Sequence, residues 1–371
     1  MDRHLLLPLL ARVWLGRDVL IQRRAYGLPP SPWSHLKMIL NMSKFTLLAL
    51  LAGLTAATGA FGQQDPMFTK YFFNSLIFNP AVAGSNEHLT LNLIHRQQWI
   101  GLDGAPTSQS LSGHTPLKNE RVGLGVSLVN DKIGASGTFD FNTAYAYRIP
   151  VGKKMKLSLG VQASVTNWRG NWSELTVEDG TDEVFSDNLN RWLPNFGAGA
   201  YLYGERFFAS LGCPRLLEHD LRKTNDETPF YARTYRHYYL TVGAAFPLGS
   251  EQLIFRPTML VKSTGVFSSF RKFSSQNPIG SPTEMDLDAS FFIAQALWLG
   301  VAYRTALELG NSSNDSADLW AAFYFRNGLR LGVAYDLTLS KLNKVGNGSF
   351  EVMAGYEFDI KVKRVASPRY F

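Results

Sequence analysis

Ser349-Phe350-Glu351-Val352-Met353-Ala354-Gly355-Tyr356-Glu357-Phe358-Asp359-Ile360, close to the end of the chain, alternates without a break. Phe350, Val352, Ala354, Tyr356, Phe358 and Ile360 share one side of an extended strand, and Ser349, Glu351, Met353, Gly355, Glu357 and Asp359 share the other. Successive side chains of a strand point to opposite faces, so one side of this segment meets an apolar medium and the other meets water or a polar interior. Every strand of an outer-membrane β-barrel is built this way, with lipid outside and a polar lumen inside.

Working back from that segment, the same period recurs along most of the chain. Leu89, Leu91 and Leu93 alternate with His88, Thr90 and Asn92. Val122 to Val129, Phe139 to Arg148 and Leu157 to Val165 repeat the pattern, and Thr107 to His114 is a weaker instance. Later runs cover Phe196 to Tyr203, Phe207 to Leu211, Tyr238 to Phe246, Leu253 to Lys262, Leu287 to Ile293, Leu297 to Arg304, Leu319 to Arg326 and Leu329 to Tyr335. Together they predict an all-β fold, an up-and-down antiparallel transmembrane barrel of about fourteen strands over residues 88–371. An even number lets the sheet close with no free edge.

A soluble β-sandwich also alternates. Small residues on the polar face argue for a crowded lumen instead, and the chain is rich in aromatics, with 25 Phe, 15 Tyr and 8 Trp. Trp99, Tyr147, Trp168, Tyr203, Trp298 and Tyr335 lie near strand ends, where aromatic girdles at the two membrane interfaces would sit.

Lys44 followed by Phe45 to Leu54 and then Ala60-Phe61-Gly62 has the charge, apolar core and small-residue cleavage site of a signal peptide over 42–62. The reading places the true start at Met42 or Met38, with residues 1–41 an upstream start outside the mature protein. The apolar run is too short for a spanning helix, which needs roughly 20 residues. Of the formal +7, residues 1–41 carry six basic against two acidic side chains, and Lys44 adds one, so +2 remains after cleavage. With no basic stripe interleaved with aromatics, nucleic acid is excluded as a partner. The single cysteine, Cys213, rules out an intramolecular disulfide and reads as a small buried apolar residue.

The stretch Gln63 to Asn86, "QQDPMFTKYFFNSLIFNPAVAGSN", resembles the opening of the PorP/SprF family of type IX secretion outer-membrane proteins. Arg96 to Leu117, Val122 to Gly134 and the closing Ser367 to Phe371 are similar to the same family. The resemblance implies a non-enzymatic outer-membrane component that works with periplasmic parts of the export machinery. It also implies delivery or anchoring of one large secreted surface protein, such as a gliding adhesin. The long polar loops Thr181 to Asn195 and Leu216 to Arg236 match no family motif and are expected to meet that cargo. Tyr370 and Phe371 are expected to be the barrel-assembly signal.

Residues 63–87 do not alternate. Tyr71, Phe72, Phe73, Asn74, Phe78, Asn79 and Pro80 concentrate aromatic and amide groups, with Phe68, Tyr71 and Phe72 at helical spacing. This segment is expected to plug the lumen; the alternative is a surface for a periplasmic partner. Asn79 to Ser85, Asp103 to Pro106 and Asn130 to Gly134 read as turns.

Catalysis and metal binding find little support. His95, His114, Ser110, Ser112 and Asn92 could approach on neighbouring strands, but no nucleophile elbow surrounds either serine. Glu178 to Glu183 lacks the ligand spacing of a calcium loop, and no zinc spacing occurs, so neither cofactor nor metal is expected. The functional rival is a passive channel or solute transporter. Lys156, Gln162, Arg256, Lys262, Asp286, Asp288, Arg304, Asp318, Arg326, Glu351, Glu357 and Asp359 would all project inward, and their mixed signs favour pairing and a filled lumen over a conducting pore.

Overall fold

The computed structural model describes residues 66–86, 88–117, 120–174, 188–219, 221, 234–265, 283–307, 314–340 and 346–358. The signal-peptide segment, the acidic loop 178–183, residues 181–187 of the first long polar loop and most of the second, Asp359, and Tyr370 with Phe371 lie outside the described residues, while Leu189 to Asn195, read above as loop, belong to a strand.

Among these residues the chain forms β1 (Leu89–Gln97), β2 (Thr107–Pro116), β3 (Val122–Ile133), β4 (Ser136–Val151), β5 (Met155–Gly170), β6 (Leu189–Gly204), β7 (Phe207–Cys213) and β8 (His237–Ala244). Then come β9 (Phe246–Leu248), β10 (Ser250–Thr264), β11 (Glu284–Ile293), β12 (Leu297–Ala306), β13 (Asn314–Tyr324), β14 (Leu329–Thr338) and β15 (Ser349–Phe358). Neighbours pair antiparallel in chain order, β10 pairs with β11, and β15 pairs with β1, which closes the sheet. Thr258 stands opposite Gly243 and Phe255 opposite Phe246, so the short β9 continues the register of β8. The barrel therefore has fourteen strands plus this one short extra strand. No described helix is long and apolar enough to cross a membrane, a test that does not bear on strands.

Alternation sets which face is which. Leu91, Leu93, Leu124, Val126, Phe141, Leu159, Val161, Leu299, Val301, Leu331 and Val352 are exposed on the outside, while Thr90, Asn92, Ser110, Ser158, Asp288, Asp318 and Glu351 are buried within. Burying polar groups while exposing leucines inverts a water-soluble protein and suits a lipid surround. The connections at the end where β1 begins and β15 ends are brief: 117–121, 152–154, 205–206, 294–296 and 325–328. The opposite end carries 98–106, 171–188, 214–236, 265–283, 307–313 and 339–348. Outer-membrane barrels keep their short turns in the periplasm, which assigns the long connections to the cell surface.

Several expectations need correction. Trp168, Tyr203 and Trp298 are buried inside the barrel, not at its interfaces, whereas Tyr147 and Tyr335 do face outward. Their own alternation explains it: Leu299 and Val301 are outside, so Trp298 must be inside. Arg326 lies exposed in the 325–328 turn, not in the lumen. Asn130 to Ile133 remain in β3, and the turn is confined to Gly134 and Ala135. Asn79 to Ser85 is a buried 3-10 turn inside the barrel, not only a surface link into β1.

Candidate functional site: the occupied lumen

Residues 66–86 fold into two short 3-10 turns, Ser75–Ile77 and Pro80–Val82, which pack on the inner faces of the wall strands. Asn79 makes the second turn possible. Its side-chain oxygen accepts from the Ala81 N–H at 2.9 Å, and Pro80 occupies the first position, where a missing donor costs nothing. The Asn79 amide nitrogen donates to the carbonyl of Ala200 at 2.9 Å, to Ser210 Oγ at 2.7 Å and to the carbonyl of Leu211 at 3.3 Å. So close an approach of two backbones needs a wall without side chains. A Cβ on Gly199 would collide with the Asn79 side-chain oxygen, and one on Gly160 with the Ala81 backbone.

The aromatic cluster read from the sequence is the packing core of this segment. Tyr71, Phe73, Asn74, Phe78, Asn79 and Pro80 are buried and Phe72 is half-buried. Phe72 lies 5.0 Å from Trp298 and 5.1 Å from Trp320, Phe73 5.8 Å from Trp298, and Phe78 4.9 Å from Tyr239, all centroid to centroid. Each buried aromatic contributes roughly 1.5–3 kcal/mol and each ring pair about 0.5–1.5 more. The inward tryptophans are thus explained by what they hold.

Above this layer, towards the long connections, lies a buried ionic cluster. Lys70 Nζ is 3.2 Å from Asp288 Oδ2 and 4.0 Å from Asp318 Oδ2. Arg96 Nη2 is 2.6 Å from Asp336 Oδ2 and its Nη1 is 3.7 Å from Glu351 Oε2. Glu351 also accepts the backbone N–H groups of Thr69 and Lys70, at 2.7 and 3.1 Å, and the Thr69 hydroxyl donates to Asp336 at 2.8 Å. Thr69 Oγ1 in turn accepts from Arg96. Trp320 Nε1 donates to Asp288 at 2.7 Å, and Arg304 grips Asp286 with two bonds of 2.7 and 2.9 Å. Buried charges persist only when paired and hydrogen-bonded, as these are. The expected pairing of lumen charges is present, but it runs along neighbouring strands and to the N-terminal segment.

Lower down, Asn74 donates to Ser110 at 3.1 Å and accepts from Ser112 at 2.6 Å, while Gly84 N–H donates to His114 Nδ1 at 3.1 Å. Arg148 donates to the carbonyl of Gly84. Tyr71 bonds Thr258 at 2.8 Å, and burial pushes its phenol well above the ordinary range, so it stays protonated.

His95 points outward, whereas His114, Ser110, Ser112 and Asn92 are buried on the inner face, so the two histidines lie on opposite sides of the wall. Among the described residues no group of three metal-ligating side chains occurs. Cys213 is buried and without a disulfide partner. Lys70, Arg96 and Asp336 were not singled out from the sequence. Arg96 and Asp336 were legible as inward positions, two residues on from Ile94 and Ala334, but Lys70 lies outside any alternating run.

Comparison with solved structures found several similar chains at low identity. The chain is 15% identical to a Pseudomonas aeruginosa FadL homologue, covering 81% of this chain and 96% of that one, with a TM-score of 0.43. It is 12% identical to the CymD monoaromatic hydrocarbon channel, covering 83% and 96%, with a TM-score of 0.46. It is 10% identical to the Acinetobacter baumannii outer membrane protein Omp33, covering 73% and 99%, with a TM-score of 0.40. No curated protein matches. The profile of the type IX secretion system membrane proteins PorP/SprF matches residues 60–356 and spans every described strand in whole or part. The chain belongs to the PorP/SprF family of type IX secretion outer-membrane proteins.

Proposed function

We propose that this barrel acts by binding: its long connections hold a large secreted surface protein at the cell surface, and its periplasmic turns meet other components of the type IX machinery. The observation that supports this over a solute channel is the lumen itself, filled by residues 66–86 and bonded to the wall by Thr69, Lys70, Asn74 and Asn79. A fixed, filled barrel offers its rims and loops as working surface, and variable loops on a rigid scaffold are where recognition concentrates. Tyr71, Phe72, Phe73, Phe78 and Pro80 then act by holding the segment, with any partner contact left to the rim. Tyr370 and Phe371 serve assembly.

Gentle solubilisation of the tagged protein from its native outer membrane, followed by mass spectrometry, tests the reading. Co-purification of periplasmic export components with one large secreted protein is the expected result. Reproducible recovery of the barrel alone, with stable ohmic conductance in a planar bilayer, would replace it with the channel.

A further inference from the structure

The segment that fills the lumen has a direction, and its leading end faces the cell surface. Pro66 and Met67 share a small void with Lys262, Glu284 and Asp286. Lys262 stands opposite Glu284 in the pair nearest the long connections, nine residues along β10 from Leu253, which pairs with Ile293 beside the short 294–296 turn. At about 3.3 Å per residue and a tilt of about 40°, those residues set the level of Pro66 roughly 23 Å above the short connections.

The trailing end is at the opposite mouth. Gly84 donates to His114 and accepts from Arg148, and a Cβ on it would collide with Gly123, next to the 117–121 connection. Asn86 then donates to Thr90, the second residue of β1, at 2.9 Å. Between these ends the segment is bonded or packed to β2 through Asn74, β5 through Ala81, β8 through Phe78, β10 through Tyr71, β12 through Phe72 and β15 through Thr69, so it meets the wall on every side. A chain that doubled back at Pro66 would need a lane about 4.8 Å wide past Phe68, Tyr71, Phe73 and Phe78. These rings are 2, 3, 7 and 9% exposed, and no such lane lies beside them.

Whatever precedes Pro66 must therefore leave by the cell-surface mouth. The signal peptide expected over 42–62 is held on the periplasmic side, and a chain still joined to it cannot lead the segment outward. We propose that the lumen fills only after this leader has been cut away, and that the cut end of the chain is delivered to the cell surface. The step is hydrolysis by water of one peptide bond upstream of Pro66, under a periplasmic peptidase, with the new carboxylate on the leader and the new α-amine on the barrel chain. The amine then lies outside the cell, whereas the first and last paired residues of the wall, Leu89 and Phe358, stay together at the periplasmic rim. This topology rests on the barrel orientation set by connection length and not on the proposed cargo.

An epitope inserted between Gln64 and Asp65, past the expected cut, tests it in the native outer membrane, beside the same epitope placed in the 152–154 turn of a second variant. Antibody should bind the first on intact cells as fully as on permeabilised ones, and the second only after permeabilisation. Where the insertion abolishes heat-modifiable mobility, a sign of folding, Gln64→Cys with Cys213→Ser takes its place, and a maleimide on a polymer too large to cross the outer membrane should modify the new thiol on intact cells. The order of events is read by pulse-labelling, in which precursor that keeps its leader should have residues 66–86 open to protease. An amino-terminal epitope or thiol reached only after permeabilisation overturns the proposal, as does a 152–154 epitope bound on intact cells or a leader-bearing precursor whose residues 66–86 resist protease.

Discussion

Replacing Lys70 by methionine removes the one cation that the N-terminal segment contributes to the ionic cluster while keeping the length and apolar stem of the side chain. The ammonium sits 3.2 Å from Asp288 and 4.0 Å from Asp318, with all three side chains at 1% exposure. Breaking a buried pair by deleting one partner costs about 3–5 kcal/mol, because the surviving charge is left uncompensated. Asp288 keeps the Trp320 N–H and Asp318 keeps the Ser316 hydroxyl, so the lower figure, about 3 kcal/mol, applies. That cost falls on docking of the segment, since the sheet closes through its own hydrogen bonds whether or not the lumen is filled. At about 1.4 kcal/mol per factor of ten, the released population rises roughly a hundredfold. Single-channel recording in planar bilayers reads this directly: the wild type should be quiet and Lys70→Met should show intermittent openings. High salt in that assay screens a buried pair little. The double variant with Asp288→Asn removes the orphaned charge as well and should open less often than Lys70→Met alone. A Lys70→Met barrel as quiet as the wild type, or a double variant that opens no less often, would refute the idea that this ion pair holds the lumen closed.

Asn79→Ala, which loses the turn cap and the amide bonds to Ala200, Ser210 and Leu211, should cost about 2–3 kcal/mol of docking and expose the segment to protease in folded barrels. Gly199→Val places side-chain atoms where the Asn79 amide lies and should give the same protease sensitivity, whereas Gly152→Ala, whose cost is the local strain of a side chain at a φ of +67° in a turn with nothing within 4 Å, should not. Leu93→Arg, on the lipid face at the middle of β1, should lower the folding free energy into vesicles by about 2–4 kcal/mol in urea titrations. Arg304→Met leaves Asp286 without its bidentate partner and should cost about 3–5 kcal/mol in the same titration, most of it recovered by Asp286→Asn in the double variant.

The strand pattern was open to inspection because it is local. In β15 the residues with odd numbers up to Gly355 are buried and Phe350, Val352 and Phe358 are exposed, as the alternation requires. Count, closure and outward face all followed from that period of two. Trp298 and Tyr203 show where the same information was available but outweighed: nearness to a strand end suggested an interface, yet their register had already turned them inward. Position along a strand gives depth, and parity gives side; only parity decides between lipid and lumen.

What the sequence determined by itself was a barrel of about fourteen amphipathic strands, a non-alternating aromatic segment ahead of it, and the family. The tertiary structure decided how that segment is held. Thr69 meets Glu351 across 282 positions of chain, Asn79 meets Ser210 across 131, and the glycines that let Asn79 approach lie on strands far along the sequence. Nothing local encodes such meetings, because whether two distant polar groups face each other depends on strand register, shear and the path of the chain inside the closed barrel. The period of a strand is a property of its own backbone, but the partner of a buried charge is a property of the whole fold.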